Sequence, residues 1–97
     1  MDKFFYTYIV TNKLRGTLYT GMTDDINKRA WEHREHVLKG SFSDKYNCEA
    51  LVWYEGFDTR EEAIGREKQL KNWKRDWKIE LIEEENPDWR DLADVLL

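Results

Sequence analysis

Cysteine and proline are nearly missing from this chain: Cys48 and Pro87 are the single examples of each in 97 residues. A lone cysteine closes no internal disulfide and has no Cys-x-x-Cys partner for a structural zinc site, so Cys48 reads as a small residue at a strand edge. No apolar run approaches the roughly 20 residues that cross a bilayer. Met1 is followed directly by Asp2 and Lys3, without a secretory signal pattern. A cytoplasmic location is expected. Internal repeats, low-complexity tracts and linkers are absent, and a chain this short builds one small core, so one domain over 1–97 is expected, with its core at about 3–85. Function must then reside in one site or one surface.

Aromatic residues, by contrast, are abundant, with five Trp and five Tyr, and hydrophobic periodicity runs almost end to end, which excludes a disordered chain. The net charge of −4 is uneven. Residues 80–97 hold seven acids and only Arg90, whereas residues 1–79 carry 15 Lys and Arg against 13 Asp and Glu. Acidity therefore belongs to the tail. Within 66–78, Arg66, Lys68, Lys71, Lys74, Arg75 and Lys78 outnumber Glu67 and Asp76, with Trp73 and Trp77 interleaved. Such a stretch binds phosphates and stacks bases, or else forms the solvated faces of two amphipathic helices.

Local patterns set the elements. Phe4 to Val10 and Thr17 to Met22 are extended, with polar Thr11 to Gly16 between them, which predicts a β-hairpin. Asp24 or Asp25 caps a helix over about 25–39, with Ile26, Ala30, His33 and Val37 inward and Gly40 as its C-terminal stop. A polar loop over 40–47 leads to a third strand, Glu49 to Gly56. Thr59 and Glu62 form a capping box for a second helix over 60–72, whose buried stripe is Ala63, Ile64, Leu70 and Trp73. A third helix over Asp76 to Glu85 turns Trp77, Ile79 or Leu81, and Ile82 inward. Asn86 and Pro87 read as the cap and first turn of a short last helix, docked by Trp89, Leu92 and Val95 or Leu96. The fold class is α+β: a three-stranded antiparallel sheet flanked by helices, in the order β-β-α-β-α-α.

Chemistry concentrates around this hairpin. Tyr6-Thr7-Tyr8 lies on its first strand and Leu18-Tyr19-Thr20-Gly21 on its second; antiparallel pairing brings the phenols of Tyr8 and Tyr19 to one face. Arg29 and His33 follow one helical turn apart on a single helix face. Glu67 falls between Ala63 and Leu70 on the inward side of the second helix, where a carboxylate needs a cation, either Lys71 at i+4 or a metal ion.

This set of residue types at these distances resembles the GIY-YIG nuclease domain over nearly the whole chain, and is similar to small stand-alone bacterial members related to the N-terminal nuclease domain of the excision-repair excinuclease. The resemblance implies a metal-dependent endonuclease or DNA phosphodiesterase of DNA repair or processing. In it Tyr8 and Tyr19 position or deprotonate the attacking water, Arg29 stabilises the phosphoryl group and His33 assists. Glu67 holds a single divalent cation, Mg²⁺ or Mn²⁺. Departures from the family pattern are Tyr6 in place of the first glycine, Thr7 in its middle position, Thr20 for a branched apolar residue, and Met22 where some relatives carry lysine.

The implied partner is nucleic acid, DNA ahead of RNA, with no membrane and with a protein partner as one route to substrate selection. His36, Lys71, Lys74, Arg75 and Asn86 are candidate nucleic-acid contacts, along with Lys39 to Lys45; Asn72 is the alternative to Asn86 for a late active-site asparagine. A nucleic-acid-binding or adaptor module that keeps the fold without turnover is the competing expectation. Zinc held by His33 and His36 is a minor one, since no further ligand is assured.

Overall fold

Residues 4–96 are described by the structure, a computed structural model; Met1 to Lys3 and Leu97, which the expected domain includes, lie outside the described residues. The alternating aromatic and β-branched segments form an antiparallel sheet of β1 (Phe5–Thr11), β2 (Leu18–Thr23) and β3 (Ala50–Phe57), in the spatial order β2-β1-β3. Four helices accompany it: α1 (Ile26–Arg34), α2 (Phe42–Lys45), α3 (Arg60–Asn72) and α4 (Arg75–Glu85), followed by a 3-10 helix at Leu92–Val95. The expected order β-β-α-β-α-α holds, with α2 added.

Both faces of the sheet are covered. Tyr8 and Val10 point from β1 to one side, against Ile26 and Ala30 of α1, Cys48 and Leu51. Ile9 points to the other, with Val52 and Trp53, against Leu70 of α3, Ile82 of α4 and Trp89. The central strand is accordingly buried from Thr7 to Thr11, as a middle strand between two helical layers must be. On the α3 side the Thr7 hydroxyl donates to the Ala63 carbonyl at 2.7 Å, which satisfies a polar group inside the core,. Tyr6, standing where the family pattern has glycine, lays its ring over Gly56, its cross-strand partner on β3.

Several expectations change. The first helix ends at Arg34 instead of 39, because His36 takes a left-handed backbone (φ 55°). The Val37 N–H donates to the Glu32 carbonyl and the His36 N–H to the His33 carbonyl, a Schellman ending without glycine,. His36 is held there by side-chain bonds to Asp44 and Glu49; Val37, expected inward, is 46% exposed. The 40–47 loop contains α2, capped by Ser41, whose Oγ accepts from the Asp44 N–H. Trp77, also expected inward, is 49% exposed and lies beside Lys74.

At the C-terminal end, Asn86 closes α4 instead of opening a helix, and the 3-10 helix starts later, capped by Asp91; Val95 is exposed. Asn86 is buried, its Nδ2 donating to the carbonyls of Val52 and Arg90 and its Oδ1 accepting from the Arg90 N–H. That side chain ties the tail to β3. Asn86→Ala strands buried backbone groups and is expected to lower stability by about 2–3 kcal/mol in urea unfolding. Wild-type stability of the variant would contradict this placement.

Candidate active site

The site is built around the Tyr8 ring. Tyr8 pairs with Gly21 across β1 and β2, and its ring lies over that glycine so closely that a Cβ there would stand 2.5 Å from the phenol oxygen and 2.7 Å from Cζ. Gly21 thus opens the passage through which a residue of the central strand reaches the edge. Tyr19, two positions back on β2, stands beside it with ring centroids 6.5 Å apart. Sequence spacing places these phenols together, and the structure does the same.

From α1, Asp25 supplies the cap and aims the first turns, its carboxylate accepting from the Lys28 N–H at 3.1 Å. His33 then arrives buried between the tyrosines, with Nε2 2.9 Å from the Tyr8 hydroxyl and Nδ1 3.0 Å from Ser43 Oγ. Arg29, one turn earlier, pairs with Glu32 at 3.1 Å, and its charge acts on the same hydroxyl. Burial pushes the Tyr8 phenol well above its ordinary range, opposed by Arg29 and reinforced by Tyr19 and Glu67. Burial, and then the Arg29 charge, push His33 down to about 4. At neutral pH the centre is a protonated phenol bonded to a neutral imidazole.

The neutral imidazole couples the site to acid stability. The unfolded chain takes up a proton on His33 near pH 6.5 and the native chain refuses it until about 4, so its stabilisation is present above the unfolded pKa and lost as pH falls through that window. Wild type should lose about 2 kcal/mol between pH 7 and 5 from this group, at 1.36 kcal/mol per pKa unit. His36 has the opposite sign: Glu49 and Asp44 raise its pKa, so its contribution fades as pH rises. Urea unfolding of wild type and His33→Gln at both pH values separates them. An equal acid loss in the variant would refute the assignment to His33.

Glu67 lies on α3, the helix packed on the opposite face of the sheet from α1. Its carboxylate is paired to Lys71 at 3.2 Å, and its charge is felt at the Tyr8 phenol. One carboxylate near an open edge suits Mg²⁺ or Mn²⁺, which keep water and take phosphate oxygens as their other ligands; Lys71, the more exposed partner, would have to yield. Among the described residues no group of three His, Cys, Asp or Glu is placed to hold an ion, so a closed protein cage does not fit.

The remaining candidates scatter. Lys71 and Lys78 flank a shallow depression of about 340 Å³ beside Leu18, Tyr19, Thr20 and Phe42. Lys74 stands over Trp77. Arg75 donates to the carbonyls of Arg15 and Gly16, so it clasps the hairpin turn. His36 is occupied by Asp44 and Glu49, and Asn86 by backbone on the opposite side of the sheet from α1. Asn72 bonds back to the Lys68 carbonyl. Cys48 is buried and its thiol pushed up to about 11 by burial, which makes it inert,.

Sequence reasoning misses Ser43, and also the aromatic row Tyr19, Phe42, Tyr46, whose successive ring centroids are 6.1 and 4.6 Å apart. Neither carries a periodic signal, because α2 has only four residues.

A model of the GIY-YIG catalytic domain matches residues 4–80. The chain belongs to the GIY-YIG family. Among relatives of this GIY-YIG chain, the UPF0213 protein SSP2268 of Staphylococcus saprophyticus is 42% identical over 84 residues, covering 87% of this chain and 99% of that protein. The UPF0213 protein HQ_3675A of Haloquadratum walsbyi is 36% identical, covering 87% of this chain and 92% of that one. The solution NMR structure of the UPF0213 protein BH0048 from Bacillus halodurans superposes with a TM-score of 0.56 at 24% identity, over 96% of this chain and 97% of that one, and supports the fold. GIY-YIG domains are a nuclease family. Among the described residues no helix is long and apolar enough to cross a membrane.

Proposed function

We propose that this GIY-YIG protein is a metal-dependent endonuclease that hydrolyses phosphodiesters in nucleic acid, DNA in preference to RNA, in repair or processing in the cytoplasm, with the whole of 1–97 as one catalytic unit. The observation that carries the proposal is the buried Tyr8 hydroxyl, bonded to His33 Nε2 and under the charge of Arg29, beside Tyr19 on the edge strand β2.

Arg29 is the group for the scissile phosphate, since a guanidinium binds phosphoryl oxygens in a planar fork and stabilises the charge they gain in the transition state. Tyr8 and Tyr19 orient the attacking water. A free Tyr8 phenolate is inaccessible at neutral pH, so the proton moves in concert: the water proton passes to the Tyr8 oxygen as the Tyr8 proton passes to His33 Nε2. The water oxygen forms the new bond to phosphorus, and the ester bond breaks with its electron pair on the leaving oxygen. The proton then returns from Nε2 through Tyr8 to that oxygen or to solvent. Phosphate bound at Arg29 cancels the charge that depresses His33, which raises the imidazole's proton affinity as substrate arrives. Glu67 is the residue that would hold a divalent cation, which would supply charge neutralisation at the phosphate. Lys71, Lys74 and Lys78 are the proposed backbone contacts.

The test is cleavage of labelled single-stranded, duplex and branched DNA, and of RNA, with Mg²⁺ or Mn²⁺, beside Glu67→Ala and an EDTA control. Cutting that needs metal and falls by at least about 10²-fold in Glu67→Ala supports the proposal. The Glu67–Lys71 pair favours the rival, a binding or adaptor module with the carboxylate already neutralised. Metal-independent binding with no cutting of any substrate, by folded protein, would establish that rival.

A further inference from the structure

His33 is attached on its second nitrogen to a chain of hydroxyls whose direction is fixed. Ser41 Oγ lies 2.7 Å from the Leu38 carbonyl, which only accepts, so the single Ser41 hydroxyl proton points there. Ser41 Oγ also accepts from the Asp44 N–H at 3.2 Å, and it stands 3.1 Å from Ser43 Oγ. With its own proton committed, Ser41 accepts from Ser43. Ser43 Oγ, 3.0 Å from His33 Nδ1, then has no proton left for the ring and accepts one from it.

A neutral imidazole carries one proton, and with that proton on Nδ1 its Nε2 is a bare acceptor for the Tyr8 hydroxyl, 2.9 Å away,. The opposite tautomer makes three of these four bonds and leaves the two serine oxygens facing each other without a hydrogen. Both Ser43 and His33 are at most 4% exposed, so water does not make up the loss.

We infer that Ser43 and Ser41 are positioning residues that lock His33 as its Nδ1–H tautomer and so turn its bare Nε2 toward the Tyr8 phenol. Their role in turnover rests on the nuclease proposal, but the state of the ring does not. The logic is that of a relaying hydroxyl, a base and an orienting group in line, with a serine pair anchored on a backbone carbonyl as the orienting element. It also explains why α2 exists. Four residues of helix, capped by Ser41, suffice to hold Ser43 under the imidazole.

The experiment is long-range ¹H–¹⁵N NMR on labelled protein at neutral pH, without metal or nucleic acid. His36→Gln assigns the two histidines. Wild type should show a protonated Nδ1 and a bare Nε2 on His33. Ser43→Ala should move the ring toward the Nε2–H form and lower kcat roughly tenfold or more with KM little changed, while Ser43→Thr should restore both. A wild-type ring protonated on Nε2 overturns the inference, as does a Ser43→Ala ring that keeps the wild-type tautomer. If Ser43→Ala fails to fold, the wild-type spectrum alone decides. An inactive protein with the expected tautomer would count against the nuclease proposal and leave the relay standing.

Discussion

Gly21→Ala should remove activity and weaken the fold together, although it adds a single methyl group. That methyl would stand 2.5 Å from the Tyr8 hydroxyl oxygen, 2.7 Å from Cζ and 3.1 Å from Cε2 of Tyr19. Contacts that short are relieved only if something moves, and the usual remedy, swinging the end of a flexible side chain, is closed to Tyr8. Its ring is 1% exposed, its hydroxyl is bonded to His33, and its root is in the central strand. Either β2 separates from β1 or the phenol leaves the His33–Arg29 corner. Overpacking of this kind costs about 1–3 kcal/mol, and displacing a reacting group by about 1 Å costs on the order of 10²-fold in rate. Urea unfolding and single-turnover cutting measure the two effects on one preparation. Wild-type cutting in a stable Gly21→Ala protein would show that the phenol is not the reacting group.

Gly21 also shows which part of this site is legible in a sequence. Its period-2 position on β2 and the eleven-residue offset of Tyr8 and Tyr19 follow from strand alternation, as Arg29 and His33 follow from helical spacing; those regularities put the four candidate side chains in one place from sequence alone. α3 matches its expected 60–72 bounds for the same reason, with its Thr59 cap and the inward Ala63 and Leu70. What stays hidden is what nonlocal contacts decide. His36 ends α1 because Asp44 and Glu49, 8 and 13 residues on, hold its ring while its backbone adopts a conformation that usually calls for glycine. Asn86 looks like a helix cap in sequence and is instead a buried strap to Val52, 34 residues away. Arg75 reads as a phosphate contact and spends its donors on the hairpin turn. A polar residue's partner cannot be inferred from its neighbours when that partner comes from another layer of the fold.

Arg29 allows its charge and its shape to be separated. Arg29→Lys keeps a cation within reach of the site but loses the planar fork, and Arg29→Ala loses both. Both should depress kcat, by about 10²–10³-fold, as expected for removing one preorganised donor to transition-state charge. Neither should cost much stability, because the Arg29–Glu32 pair is an i,i+3 contact with the guanidinium 34% exposed, and such pairs contribute under about 1 kcal/mol. The imidazole tells the variants apart. Burial and then Arg29 hold His33 at about 4, so Arg29→Ala should let its pKa rise while Arg29→Lys leaves it low, and NMR titration of the His33 ring reads this without substrate. The Tyr8 phenol should move further from its ordinary value in Arg29→Ala, since the guanidinium is the group that opposes burial there. If Arg29→Lys cuts as wild type does, Arg29 acts as a point charge and not as a fork for the phosphate. If Arg29→Ala cuts as wild type does, the scissile phosphate is bound elsewhere and the corner formed by Tyr8, Arg29 and His33 is not the catalytic centre.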